Sequence, residues 1–167
     1  MNRRFIFFMF SFVFCLCTMA QENTKCKTGE FASDFTFLDY KGKELYMSDV
    51  NVQYTVLFFY NPDCEHCQKY LNKLKKDRLL TTYVKQKTLA VVAVAVETTE
   101  EAFNDKFFDL PIDWIKGYCE ECEEIIEHYL MKVPAIFVID DIKMVIKSDI
   151  TPNELESFLK TIIPNQQ

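Results

Sequence analysis

Tyr54-Thr55-Val56-Leu57-Phe58-Phe59-Tyr60-Asn61-Pro62-Asp63-Cys64-Glu65-His66-Cys67 decides the reading of this chain. The first half is apolar apart from Thr55, as a central strand covered on both faces should be. Asn61-Pro62-Asp63 breaks the run. From Cys64 to about Leu80, apolar side chains at Tyr70, Leu71, Leu74 and Leu79 alternate with lysines in the pattern of an amphipathic helix. A Cys-x-x-Cys pair therefore stands where a buried strand turns into a helix. Two sulfurs three residues apart in a first helical turn can close a small disulfide ring or stay as a dithiol. Free N–H groups and the positive end of the helix dipole stabilise a thiolate at the first of them. This is the arrangement of a thiol–disulfide exchange site.

Working outward, Leu89-Ala90-Val91-Val92-Ala93-Val94-Ala95-Val96 is a second buried strand. A helix between two such strands makes a βαβ unit, whose strands lie parallel. Upstream, Phe35–Leu38 and Glu44–Met47 flank Lys41-Gly42-Lys43 as a short hairpin. Downstream, Thr98 or Thr99 caps a helix over about Glu100–Phe108, Pro111 ends it, and Ile112-Asp113-Trp114 forms a short extension. A helix is expected over about Glu120–Leu130. Ala135–Ile139 and Met144–Lys147 form a hairpin around Asp140-Asp141, and Thr151-Pro152 opens a final helix to Ile163. Residues 21–30 read as a flexible lead-in and residues 31–167 as one domain, without repeats or low-complexity tracts.

These landmarks resemble the thioredoxin-like superfamily, most closely the exported TlpA/ResA-type thiol–disulfide oxidoreductases, from about Gly29 to Ile163. Gly29-Glu30-Phe31-Ala32-Ser33-Asp34-Phe35 is similar to that family's Gly-x-x-Ala-Pro-x-Phe opening, with Ser33 in place of proline. Asp39-Tyr40-Lys41-Gly42-Lys43 matches its first hairpin turn, and Val133-Pro134-Ala135-Ile136-Phe137-Val138-Ile139-Asp140 its cis-proline strand. The resemblance implies an α/β, thioredoxin-like fold: a central mixed sheet flanked by helices, with an N-terminal β-hairpin extension. It implies a redox enzyme without a small-molecule cofactor or metal, acting on protein thiols or disulfides and served by an upstream redox partner. Fold alone does not fix activity.

The same resemblance assigns roles. Cys64 is the exposed, attacking thiol, and Cys67 the buried one that resolves the mixed disulfide. An imidazolium at His66 would favour a neighbouring thiolate, whereas Glu65 opposes it, so the direction of electron flow stays open. An inert Cys64–Cys67 disulfide and a metal site are the competing readings. Pro134 taken alone is a proline at a strand's first position, where it costs no ladder bond. In the family the matching proline is cis beside the active cysteines, and the backbone of the preceding residue, here Val133, pairs with an incoming polypeptide. Thioredoxins carry an acid six residues before the first cysteine, where this chain has Phe58. ResA-type proteins place a glutamate after the next strand as proton acceptor. Glu97 is the nearest match, one residue short in spacing, and reads otherwise as a surface glutamate ending a strand.

Cys119-Glu120-Glu121-Cys122 departs from the family pattern and falls at another expected helix start. Three readings compete: a stabilising or regulatory disulfide, a redox relay to Cys64–Cys67, and free thiols or metal ligands. A ring this small removes little chain entropy. His128, on the same helix, reads as an ordinary, partly exposed histidine.

Arg3-Arg4 precede an apolar run from Phe5 to Cys17, and Thr18-Met19-Ala20 offers a cleavage site, so residues 1–20 read as a secretory signal peptide. The apolar run is too short for a comfortable membrane span, and no span is expected after cleavage. Lipidation at Cys15 or Cys17 fits less well, because Phe14 and Leu16 are bulky. The expected location is periplasmic or otherwise extracytoplasmic. Cleavage leaves 147 of the 167 residues, enough for one ordinary domain. It removes two arginines and no acids, taking the net charge from −6 to −8. An acidic surface without basic clusters argues against nucleic-acid binding. Five cysteines remain, and export permits both pairs to oxidise, leaving Cys26 over.

The alternative function is a metal-binding protein, with Cys64, Cys67 and a histidine on copper or four cysteines on zinc. Compact zinc modules place their pairs much closer together than these. Copper carriers of this fold usually separate their cysteines by three residues. A peroxiredoxin is disfavoured, because Asn61 stands where a threonine would be needed.

Overall fold

Seven apolar or β-branched residues in a row, Tyr54–Tyr60, can be satisfied only between two covering layers, and the fold is built around that strand. The computed structural model describes residues 24–130 and 132–163. The expected signal peptide lies outside them. In chain order the elements are β1 (Thr36–Leu38), β2 (Glu44–Tyr46), a 3-10 turn (Met47–Asp49), β3 (Tyr54–Tyr60), α1 (Glu65–Lys76), α2 (Arg78–Lys85), β4 (Leu89–Val96), α3 (Glu100–Phe107), β5 (Ile115–Cys119), α4 (Glu123–His128), β6 (Ala135–Asp140), β7 (Val145–Lys147) and α5 (Pro152–Ile162). They form a seven-stranded sheet in the order β2-β1-β5-β4-β3-β6-β7. The sheet is mixed: β3, β4 and β5 run parallel, and β1, β2, β6 and β7 pair antiparallel. The N-terminal hairpin joins through Leu38 opposite Tyr118.

Alternation along the strands divides the core in two. Val56, Phe58, Tyr60, Val91, Ala93, Ala95 and Tyr118 face one layer, where Cys67, Leu71 and Leu74 of α1 pack with α2, α3 and α5. Leu57, Phe59, Val92, Val94, Val96 and Cys119 face the other, covered by α4, Phe35, Phe37 and Cys26. The period-2 geometry of a strand makes neighbouring residues serve opposite cores. No described helix is long and apolar enough to cross a membrane.

Two sequence expectations need correction. The single helix from Cys64 to Leu80 is two, broken at Asp77, whose backbone is extended (φ −72°, ψ 110°). Its carboxylate accepts from the amides of Leu79 and Leu80 at 2.9 and 3.0 Å, capping α2. The break lets Leu74 and Leu80 both face the core. Secondly, residues 115–119 form a strand; only the stretch from Glu123 is helical, and it ends at His128. Gly117 and Lys116 hide that strand from a propensity reading. A Cβ on Gly117 would collide with the Leu38 carbonyl oxygen and the Phe37 ring, so glycine is what lets β1 lie against β5. Of the expected lead-in, residues 21–23 lie outside the described residues, and from Thr24 onward the chain is hydrogen-bonded to the fold. Thr24 bridges to Leu130, the Lys25 amide donates to the Tyr129 carbonyl at 2.8 Å, and Gly29 and Glu30 pair with Val145.

Candidate active site

β3 delivers the chain to the C-terminal end of the parallel strands at Tyr60, and five polar ties shape the loop between Tyr60 and α1. The Asn61 side-chain oxygen accepts from the Asp63 amide at 2.9 Å, and the Asn61 carbonyl accepts from the Cys64 amide at 3.1 Å. The Pro62 carbonyl accepts from Gln68 Nε2 at 2.8 Å and from Lys106 Nζ at 3.0 Å. Lys106 also pairs with the Asp63 carboxylate at 3.0 Å. This compact loop makes Cys64 the N-cap of α1, in extended conformation (φ −81°, ψ 113°), and its sulfur accepts from the Cys67 amide at 3.2 Å. A sulfur at that position meets unpaired amides and the positive end of the helix.

The two thiols, both free, occupy unlike environments. Cys64 is half-buried at the surface, whereas Cys67 is fully enclosed. Burial pushes the Cys67 thiol up to about 12; Cys64 adds to the rise, and the Asn61 backbone opposes it. Burial also raises the neighbouring Tyr60 phenol, with the Cys67 charge a smaller cause, so that hydroxyl stays protonated. Glu65 turns outward to Lys69 at 2.7 Å. His66 is exposed and lays its ring against Tyr70, centroids 4.8 Å apart.

Pro134 is buried and follows a cis bond from Val133. Phe59 lies opposite Ala135, so the antiparallel register brings Pro134 to the end of β3, where the cysteine loop begins. Val133 packs against both cores. Glu97 follows β4 with a positive φ of 51° and is exposed. Among the described residues its carboxylate has no hydrogen-bond or ion-pair partner, and its amide donates to Cys122 Sγ at 3.2 Å.

Cys119 and Cys122 form a disulfide between the last residue of β5 and the cap of α4. The expectation of a pair on a helix start holds for Cys122 alone. Cys119 and Cys122 pack in the core opposite to that of Cys67. The four cysteines therefore cannot converge on one ion, and among the described residues no three His, Cys, Asp or Glu side chains are grouped to hold a metal. Cys26 is buried in the second core, where burial and then Glu30 raise its thiol. His128 is exposed at the end of α4. A cleft of about 710 Å³ lined by Tyr40, Phe107, Leu110, Ile112 and Trp114 touches neither Cys64 nor Cys67.

Sequence reasoning missed Asn61, Gln68 and Lys106 as supports of the loop. Asn61-Pro62-Asp63 carries a turn signal that foretells the Asn61 contact with Asp63. Lys106 reaches Asp63 from 43 positions away, and nothing local marks it.

The thioredoxin-like family pattern matches residues 51–146, from before β3 to within β7. No curated protein matches the chain. Solved structures do. A thioredoxin-like protein from Bacteroides caccae is 25% identical, with a TM-score of 0.74, over 80% of this chain and 49% of its own, so this chain spans about half its length. A conserved protein of unknown function from Bacteroides fragilis is 29% identical, with a TM-score of 0.70, over 79% and 98% of the two chains. A domain of a possible thiol-disulfide isomerase from Cytophaga hutchinsonii is 26% identical, with a TM-score of 0.68, over 81% and 92%. The strand order, the cysteine pair at a strand-to-helix junction and the match over more than half of the sequence agree: this chain belongs to the thioredoxin-like family.

Proposed function

We propose that this protein is an extracytoplasmic thiol–disulfide oxidoreductase of the TlpA/ResA type, exchanging disulfides with protein substrates through Cys64 and Cys67. The observation that carries the reading is the asymmetry of the pair: a half-buried sulfur capping α1 beside an enclosed one whose thiol is pushed up to about 12. In the reducing direction, the Cys64 thiolate attacks one sulfur of a substrate disulfide. That S–S bond breaks, a Cys64–substrate disulfide forms, and one substrate thiolate leaves. Cys67 then passes its proton to a departing thiolate and attacks Cys64 Sγ. The second substrate sulfur is released, and the enzyme holds a Cys64–Cys67 disulfide. The substrate has gained two electrons; the reverse sequence oxidises it. Burial keeps Cys67 protonated, and so silent, until the mixed disulfide exists.

Val133, half-buried beside Pro134, offers its backbone to the substrate chain as the resemblance implies. His66 stands two residues after Cys64 in the first turn of α1, and Glu97 follows β4 at the same end of the sheet without a direct contact to Cys67. A Cys119–Cys122 disulfide and the expected signal peptide both suit an oxidising compartment.

Trapping tests the reading. Cys67→Ser should accumulate mixed disulfides with partner proteins at Cys64, because the resolving thiol is gone, and Cys64→Ser should accumulate none. Equal trapping by both variants would place the nucleophile elsewhere.

A further inference from the structure

A line of hydrogen bonds joins the second disulfide to the Cys64 loop. Cys122 Sγ, fixed by its bond to Cys119, accepts from the Glu97 amide at 3.2 Å. The Cys119 carbonyl accepts from the Thr98 amide at 3.3 Å, so a disulfide sulfur and the backbone beside it hold two consecutive amides just past β4. That same segment is held from the other side. Asn61 Nδ2 donates to the Val96 carbonyl at 3.2 Å and to the Glu97 carbonyl at 3.4 Å. Asn61 in turn bonds the amides of Asp63 and Cys64. Glu97 itself stands at φ 51°, a conformation that few non-glycine residues adopt without support from their surroundings.

The sulfurs themselves lie apart. β5 is two strands from β3, about 10 Å, and the pairs occupy opposite cores. Direct exchange needs sulfur-to-sulfur contact, so electrons do not pass between the pairs in this arrangement. What passes is position.

We infer that Asn61 is a positioning residue through which the Cys119–Cys122 disulfide sets the redox balance of Cys64–Cys67. This rests on the exchange reading proposed above and adds its regulation. These Asn61 contacts accompany two free thiols in the first pair, and on this inference they favour the dithiol form. Loosening them shifts the pair towards its disulfide. Coupling between two sites is a free energy, and it appears as a change in the equilibrium constant of one when the other is altered.

The test equilibrates the full chain with a dithiothreitol couple, follows both cysteine pairs by alkylation and mass mapping, and measures the constant for closing Cys64–Cys67 in chains whose Cys119–Cys122 pair, where present, is closed. Wild type is compared with Cys119→Ser/Cys122→Ser, with Asn61→Ser, and with all three changes together. Serine at 61 retains an oxygen for the Asp63 amide but cannot span to Val96 and Glu97. Removing the second disulfide should move the constant about fivefold or more towards the Cys64–Cys67 disulfide, the lower range of typical couplings. Asn61→Ser should do the same with the second disulfide in place, and the combined variant should move no further than either alone. Should the double-serine chain fail to fold, the Asn61→Ser constant decides. A constant unchanged in Asn61→Ser, a shift towards the dithiol, or effects that multiply in the combined variant would overturn the inference. A wild-type pair that never closes reversibly would instead overturn the proposed function, and this inference with it.

Discussion

The Cys67 amide donates to Cys64 Sγ at 3.2 Å while the Cys67 thiol points into the core, fully enclosed. On the proposed exchange reading, one residue thus steadies the attacking sulfur with its backbone and keeps its own sulfur in reserve. The spacing of two intervening residues makes this geometry: Cys64 caps the helix, and Cys67 supplies the third amide of the first turn, the one an N-cap acceptor reaches.

The burial of Cys67 has a measurable consequence with a definite sign. Burial disfavours the charged form, so its thiol rises from an ordinary 9.0 to about 12. Below that value each unit of pH multiplies the thiolate fraction about tenfold. In a Cys26→Ser/Cys64→Ser background, ultraviolet absorbance should show no Cys67 thiolate at pH 9, with its growth confined to strongly alkaline solution. Half-titration at or below pH 9 would refute the buried-reserve role.

Lys106 links α3 to the loop through Pro62 and Asp63. Its ion pair is largely solvated, the side chains being 45% and 80% exposed, so its contribution to stability is below about 1 kcal/mol. Its value lies in placing Cys64. Lys106→Met should leave the urea midpoint nearly unchanged and lower kcat/KM for protein disulfides roughly threefold to tenfold. A lost midpoint with unaltered turnover would make it a surface ion pair only.

Gly117 of β5 leaves no room for a Cβ against Phe37 and Leu38 of β1. Gly117→Val should cost about 1–3 kcal/mol by denaturant unfolding, the usual range for overpacking, because β1 must retreat. An unchanged stability would mean that the N-terminal hairpin adds little to the domain.

Much of the fold was legible because its central strands, Tyr54–Tyr60 and Leu89–Val96, are long apolar runs that admit one reading. α5 was equally plain: Thr151 and Glu154 cap each other's amides reciprocally, with Pro152 at the first turn. β5 was illegible, because a short stretch containing Gly117 and Lys116 lacks both alternation and propensity. Its glycine is set by β1, a neighbour so distant in the sequence that a local pattern cannot show it. The break at Asp77 was written as a capping residue but masked by the continuing leucines on either side. At the candidate site, spacing marked the cysteine pair and the family resemblance marked Pro134, whereas Lys106 and the Asn61–Glu97 contact arise only from tertiary folding.

The most direct test of the central claim is turnover of a protein disulfide, with dithiothreitol as the electron source, by purified wild type and Cys64→Ser. Wild type should turn over, and Cys64→Ser should fall to the rate of dithiothreitol alone, even with Cys67, Cys26, Cys119 and Cys122 all present. A Cys64→Ser chain that keeps the wild-type rate would show that exchange does not run through the Cys64 sulfur.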